Sequence, residues 1–272
     1  MPELPEVETV KRGLHPYVVG HLVQDLCVRR GDLRWPVPED TLKQHVVGKP
    51  IQELRRRGKY LLFRVDSGWM IVHLGMSGVL RFTVNRMEPD THDHLIWSLD
   101  NGYLIYNDPR RFGAVLWQEG DSPENHSRLS QLGPEPLSEQ FSVGHLATRF
   151  AQRRATVKQL IMDAGTVVGV GNIYASESLF EAGISPMSRA GSLTTTQLQA
   201  LCEAIKRVLE RSIEAGGTTL RDFVGSDGRP GYFSQSLQVY GRDEKPCKHC
   251  GEGIKHRKMA GRATYWCPNC QR

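Results

Sequence analysis

At 272 residues and 39% hydrophobic content the chain is long enough for about two domains with cores of their own. No run approaches the ~18 consecutive apolar residues that a membrane span needs, and the acidic, proline-bearing start from Met1 to Leu14 is not a secretion signal, so a soluble cytoplasmic protein is expected. The formal charge of +5 is modest but uneven: between Lys245 and Arg272 seven lysines and arginines face a single glutamate.

Val7, Val10 and Leu14 fall at helical spacing, so the chain opens on a helix. There follow short apolar runs broken by Gly, Asn or Asp: Leu61-Leu62-Phe63, Met70-Ile71-Val72, Val79-Leu80, Leu95-Ile96-Trp97, Leu104-Ile105 and Ala114-Val115-Leu116. That pattern predicts a β-sandwich or barrel. Between Glu119 and Ser142 prolines and serines replace periodicity, which places the interdomain connection there. Helical periodicity then returns in Val143 to Phe150, Val157 to Asp163, Ile173 to Glu181 and Thr195 to Ile213. Thr195 is placed to cap the last of these and Gly183 to stop the third. The stretch from Gly216 to Tyr232 is too rich in glycine for a regular element and reads as a long functional loop. Cys27 and Cys202, inside apolar runs, read as small buried hydrophobes.

Three basic clusters stand out: Arg55-Arg56-Arg57 with Lys59, Arg110-Arg111, and Arg153-Arg154 with Lys158. One such cluster is ordinarily a solvated face; several together favour a polyanionic partner.

Cys247-x2-Cys250 and Cys267-x2-Cys270, sixteen residues apart, have the spacing of a zinc ribbon whose two knuckles are joined by a β-hairpin. Four thiolates leave no open coordination position, so a single Zn2+ here is structural. So small a tail has almost no apolar core, and zinc binding worth ~10–16 kcal/mol is a source of its folding. Two disulfides are the alternative, disfavoured in a chain without a secretion signal. The hairpin Lys255 to Tyr265 carries Lys258, Arg262 and Tyr265, the composition of a nucleic-acid probe.

Pro2 follows Met1, and removal of the initiator methionine leaves a secondary amine. An α-amine titrates at ~7.7–8.0 against ~10.4 for lysine, so about a tenth of it is a free nucleophile at neutral pH. Attack on the C1′ of a deoxyribose gives a cationic iminium, an electron sink. Glu3 and Glu6 stand at the head of the following helix, where a carboxylate can protonate a leaving group or a ring oxygen. On pattern alone the plainer reading is favoured: proline starts helices well and acids suit their N-termini.

The run Pro2-Glu3-Leu4-Pro5-Glu6-Val7-Glu8-Thr9 resembles the N-terminus of the bacterial formamidopyrimidine-DNA glycosylases. The likeness continues through His73-Leu74-Gly75-Met76-Ser77-Gly78, Asp108-Pro109-Arg110-Arg111-Phe112-Gly113, Gly169-Val170-Gly171-Asn172-Ile173-Tyr174-Ala175 and Gln238-Val239-Tyr240-Gly241 into the zinc ribbon. It covers essentially the whole chain in order. The resemblance implies an α+β multidomain protein: an N-terminal β-sandwich with a leading α-helix over 1–130, a helical helix-two-turn-helix domain over 131–240, and a C-terminal β-hairpin zinc finger over 241–272.

It further implies a monomeric, bifunctional glycosylase and AP lyase of base excision repair acting on damaged double-stranded DNA. Pro2 is then the Schiff-base nucleophile, Glu3 the proton donor with Glu6 beside it, Lys59 the lysine that assists β-elimination and Arg262 the arginine of δ-elimination. For Lys59 and Arg262, simple balancing of phosphate charge is the competing role. His92, Arg110 and Arg153 correspond to DNA-contacting positions and Asn172 to the asparagine of the helix-two-turn-helix, where backbone N–H groups at a helix start can meet a phosphate. A flipped-out base leaves a hole, and Met76, Arg110 and Phe112 correspond to the residues that fill it. The loop Thr218 to Tyr232 matches the segment that closes over the extruded base, and no redox or nucleotide cofactor is implied.

Arg153-Arg154 is arginine-rich where relatives often carry lysines, which keeps phosphate binding but leaves either arginine eligible for the contact. Leu4 and the intact Arg110-Arg111-Phe112 favour oxidised purines over the oxidised pyrimidines of the sister endonuclease VIII-like family. A non-enzymatic zinc-ribbon protein that only senses distorted duplex is the alternative of a different class.

Overall fold

The structure, a computed structural model, describes residues 2–217 and 236–272. The expected closing loop from Thr218 to Tyr232 lies outside the described residues. Two compact units are present: one is built on residues 2–131 and also takes Gly216 and Gly217, the other on 132–215 and 236–272.

The first unit opens on α1 (Leu4–Val18), continues through β1 (Val23–Val28) and α2 (Glu39–Val46), and then runs through seven strands. These are β2 (Ile51–Arg57), β3 (Tyr60–Val65), β4 (Gly68–His73), β5 (Val79–Thr83), β6 (Asp93–Leu99), β7 (Gly102–Asn107) and β8 (Ala114–Glu119). Together with β1 they form two four-stranded antiparallel sheets, in the orders β1-β6-β7-β5 and β2-β3-β4-β8. In β6 the alternation Leu95, Trp97, Leu99 turns one face inward. From α1, Val7, Val10, Leu14 and Val18 enter the same core as Leu61 and Phe63 of β3, Met70 and Val72 of β4, and Leu104 and Tyr106 of β7. Each such side chain taken from water contributes about 1.5–3 kcal/mol, so the helix belongs to the sandwich core. The expected β-sandwich with a leading helix is therefore present.

The segment from Val23 to Arg57, in which no element was expected, holds β1, α2 and β2. The register of β1 shifts between Val23 and Asp25 and that of β2 between Ile51 and Glu53. Each bulge leaves buried residues three apart, Val23 with Leu26 and Ile51 with Leu54, so the strand period of two is erased. Cys27 corrects an expectation: adjacent to the buried Leu26, it points to the opposite face and is exposed, whereas Cys202 is buried as expected.

The second unit carries α3 (Val143–Phe150), α4 (Val157–Ile161), α5 (Asn172–Glu181), α6 (Thr195–Glu214) and the hairpin of β9 (Lys255–Met259) and β10 (Arg262–Trp266). Helix α4 ends two residues before the expected Asp163, and the cap of α6 is Thr194, whose hydroxyl accepts from Gln197 N, one residue ahead of the expected Thr195. Every residue of α5 from Ile173 to Phe180 is buried, as befits a central helix packed against α4, α6 and β10. Gly183, at φ +69°, ends it in the left-handed region, as expected. Buried Glu177 of α5 accepts from the backbone N–H groups of Gln238, Val239 and Tyr240 at 2.8, 3.0 and 2.8 Å, which fastens the chain entering the hairpin to the helix. Among the described residues no helix is long and apolar enough to cross a membrane.

Candidate active site and nucleic-acid contacts

Pro2, Glu3 and Glu6 cluster at the head of α1, where Glu6 Oε2 accepts from Glu3 N–H at 2.8 Å. Both carboxylates are only 2% exposed. The backbone of Gly217, at φ +82°, passes so close that a Cβ there would lie 3.1 Å from Glu6 Oε1. Two residues on, Glu8 takes Arg56 of β2 at 2.9 Å as well as Lys11 at 2.9 Å and Arg12 at 3.1 Å. Burial raises the Glu8 pKa, but the hydrogen bonds and charges of Lys11 and Arg56 outweigh it and hold the carboxyl below its ordinary range. Arg56 also donates to Gly58 O at 3.1 Å, in the β2–β3 turn that carries Lys59. One guanidinium thus joins the helix head's first turns to the turn bearing the predicted lysine.

Lys59 also acts on His73 at the end of β4. Burial first, then the charges of Lys59 and Arg34, push His73 down to about 4. The ring is therefore neutral at pH 7, and its Nδ1 accepts from Gly75 N–H at 3.0 Å.

Met76, His92, Arg110 and Phe112 are brought around a buried carboxylate that sequence reasoning passed over. Asp108 is fully buried. Its Oδ1 accepts from Ser77 Oγ at 2.8 Å, and its Oδ2 from Gly113 N–H at 2.8 Å and Tyr106 OH at 3.1 Å. Its backbone joins the same knot: Asp108 N donates to His92 O at 3.0 Å, and His94 Nε2 donates to Asp108 O at 2.8 Å. The loop after β4 and the loop after β7 meet so closely that a Cβ on Gly75, itself at φ +65°, would fall 2.4 Å from Gly113 N. From this base the side chains reach outward: Met76 is 36% and Phe112 44% exposed, with the Arg110 guanidinium 4.9 Å from the Phe112 ring centre. Asp108 was visible as the lone acid in an otherwise basic motif, but nothing in its spacing says where its oxygens point.

On the second unit, Gly169 at φ +84° and Gly171 as N-cap lead into Asn172, the first residue of α5. Asn172 Oδ1 accepts from Lys158 Nζ at 2.7 Å and its Nδ2 donates to Ala263 O at 2.9 Å. Lys158, grouped by sequence with a solvated basic cluster, is instead 3% exposed and also bonds Thr264 Oγ1 at 2.8 Å. It sits on the inward face of α4 because Val157 and Ile161, its neighbours there, are core residues. Arg153 and Arg154 remain exposed, and Arg262 is exposed at the start of β10, paired in register with Met259.

The ligand atoms of Cys247, Cys250, Cys267 and Cys270 all lie within 4.8 Å of one another, with Cys247–Cys270 at 3.9 Å and Cys250–Cys267 at 3.5 Å. A tetrahedron with Zn–S bonds of ~2.3 Å has edges of about 3.8 Å, so the donor set fits one zinc ion, whereas disulfides need sulfurs ~2.05 Å apart. Backbone N–H groups of His249 and Cys270 point at the Cys247 and Cys267 sulfurs, each at 3.4 Å. Cys247 and Cys267 share a small core with Ile254, Val239 and Phe180 of α5, which seats the finger on the helical unit.

Three family profiles match in order: the formamidopyrimidine-DNA glycosylase N-terminal domain over residues 1–115, the formamidopyrimidine-DNA glycosylase H2TH domain over 132–224, and the zinc finger found in FPG and IleRS over 244–272. With the sandwich, the helical unit and the thiolate cluster already placed, the class is a zinc-finger DNA glycosylase of base excision repair. Formamidopyrimidine-DNA glycosylases of Magnetococcus marinus and Serratia proteamaculans are 52% and 53% identical, each alignment covering all of both chains. The crystal structure of the MutM (Fpg) protein from Thermus thermophilus superposes with a TM-score of 0.90 at 38% identity, covering 99% of this chain and 98% of the other. A Lactococcus lactis Fpg mutant, in complex with a Fapy-dG containing DNA, superposes at 0.94 with 33% identity and complete coverage of both chains. The chain belongs to the formamidopyrimidine-DNA glycosylase family. It is accordingly a glycosylase for oxidised bases with one structural zinc site, and AP lyase activity goes with the family.

Proposed function

We propose that the protein excises oxidised purines, 8-oxoguanine and ring-opened formamidopyrimidines, through a Schiff base on Pro2 and then nicks the strand by β,δ-elimination. The observation that carries this is the proline followed by two carboxylates, each 2% exposed, packed at the head of α1. Once Met1 is removed, the proline nitrogen bonds to C1′ and gives up its proton as the bond from C1′ to the base breaks and the base leaves protonated; Glu3 then protonates O4′ as the C1′–O4′ bond opens, which leaves the iminium. The iminium then acidifies the C2′ proton; its loss expels the 3′ phosphate, with Lys59 balancing the charge, and Arg262 assists departure of the 5′ phosphate. Met76, Arg110 and Phe112 fill the gap left by the extruded nucleotide, while His92, Arg153 and Asn172 contact the DNA backbone.

We further infer three functional domains, 1–130, 131–240 and 241–272, in a monomer working in the cytoplasm on damaged double-stranded DNA. The L. lactis neighbour in complex with Fapy-dG DNA supports a purine lesion. Another L. lactis complex holds an oxidised pyrimidine containing DNA, which makes thymine glycol the comparison substrate. Borohydride reduction during turnover should give a covalent protein–DNA adduct whose peptide map places the bond on Pro2, with faster excision of 8-oxoguanine than of thymine glycol. Trapping on another side chain, or undiminished trapping by Pro2→Gly, would overturn the assignment.

A further inference from the structure

We propose that Asp108 is a positioning residue that locks the loop of Met76 and the loop of Arg110 and Phe112 into one rigid probe, so that all the gap-filling side chains enter the duplex together. The inference rests on the gap-filling roles given above. Its basis is the number and origin of the hydrogen bonds on one carboxylate. Ser77 lies in the loop after β4, Tyr106 at the end of β7 and Gly113 just before β8, and all three donate to Asp108.

Two of the three bonds fix the neighbour of a probe residue. Ser77 follows Met76, Gly113 follows Phe112, and Ser77 Oγ accepts from Arg110 N at 3.3 Å as it donates to Asp108. Arg111, at φ +55°, makes the reversal between Arg110 and Phe112, and its N–H donates to Asp108 O at 3.1 Å. The N–H of Asp108 bonds His92 O at 3.0 Å, which brings the fourth predicted DNA contact onto the same knot.

Only a carboxylate satisfies this geometry. Both oxygens of an aspartate accept, whereas asparagine offers one accepting oxygen and an NH2 that would face a donor. A buried carboxylate is strongly disfavoured unless its lone pairs are filled, so the three donors are held as firmly as they hold it. Surface loops move readily, and a displacement of about 1 Å at a reacting site is enough to cost ~100-fold in rate. A shared buried anchor removes that freedom where a wedge must find a gap one base wide.

The test uses the full-length zinc-loaded protein and compares Asp108→Asn with wild type on two substrates: a duplex with 8-oxoguanine opposite cytosine, and a single strand bearing an unpaired abasic site. Loss of one buried hydrogen bond with a donor left facing a donor should slow duplex excision by about 10- to 100-fold. Nicking of the single strand, which has no gap to fill, should change by less than about threefold. The fluorescence rise of a 2-aminopurine placed next to the cytosine opposite the lesion should fall in parallel. Ser77→Ala, which cuts the bridge between the loops but leaves Gly113 and Tyr106 on Asp108, should show the same selective loss in milder form and add nothing in the double variant. If Asp108→Asn does not fold, Ser77→Ala alone decides. Wild-type duplex excision by the folded variants, or equal loss on both substrates, overturns the proposal. A wild-type protein that nicks neither substrate speaks against the proposed function instead.

Discussion

Arg56 reaches from strand β2 to Glu8 of helix α1, its Nε 2.9 Å from the carboxylate, with the side chains only 13% and 10% exposed. The pair fastens the helix that begins with Glu3 and Glu6 to the strand that ends beside Lys59. An arginine in a basic run thereby serves the interior of the protein rather than its DNA surface.

Glu8→Gln should lower stability by about 2–4 kcal/mol, since it takes a countercharge away from a mostly buried guanidinium. Because the Glu8 carboxyl is held below its ordinary value of 4.5, its contribution is complete above that pH and is lost as pH falls through the lowered folded value. Urea melts over a descending pH series should show a difference between variant and wild type that is full at pH 7 and shrinks progressively once the pH falls below 4.5.

His73 gives a pH dependence in a higher window. Folding holds it at about 4 against an ordinary 6.5, so the unfolded chain binds its proton first as the solution is acidified. Stability from this group is intact above 6.5 and declines from there toward 4, by at most ~3 kcal/mol. His73→Gln, which keeps a polar side chain but cannot titrate, should flatten the stability profile between about pH 4.5 and 6.5; an unchanged slope would assign it to other groups.

Gly113→Ala should be among the most damaging single-methyl changes in the chain. The added carbon would fall 1.7 Å from Tyr106 Oη and 2.5 Å from His73 O, in a region where neither neighbour is free to retreat. Overpacking of this kind costs about 1–3 kcal/mol or more. A thermal melt should fall accordingly, and duplex excision should fall further than nicking of an unpaired abasic strand.

Chelation should release one zinc per chain, read by a colorimetric dye, and unfold the hairpin that carries Arg262. Trp266 fluorescence and resistance of the Lys245–Arg272 region to protease report the loss, and duplex affinity should drop with them, because the metal is the main source of local stability. Cys250→Ser should do the same without a chelator, while the sandwich retains its own cooperative melt.

What the sequence determined by itself were features whose meaning is carried by nearest neighbours. The two Cys-x2-Cys knuckles set a ligand geometry by spacing alone, and their sulfurs meet as that spacing requires. Helices α3, α5 and α6 were legible from local apolar periodicity and the strands β3 to β8 from apolar runs between turns; full-length motifs disclosed the family. Tertiary structure decided the rest. Strands β1 and β2 escaped because a bulge in each destroys the alternation, and a bulge is defined only by the partner strand. Lys158 read as a surface charge until Asn172 and Thr264, both distant in sequence, closed around it. Asp108 acquires its place only when Ser77, Tyr106 and Gly113 converge on two oxygens. A buried polar group is defined by partners far along the chain, and no local pattern encodes where they will meet.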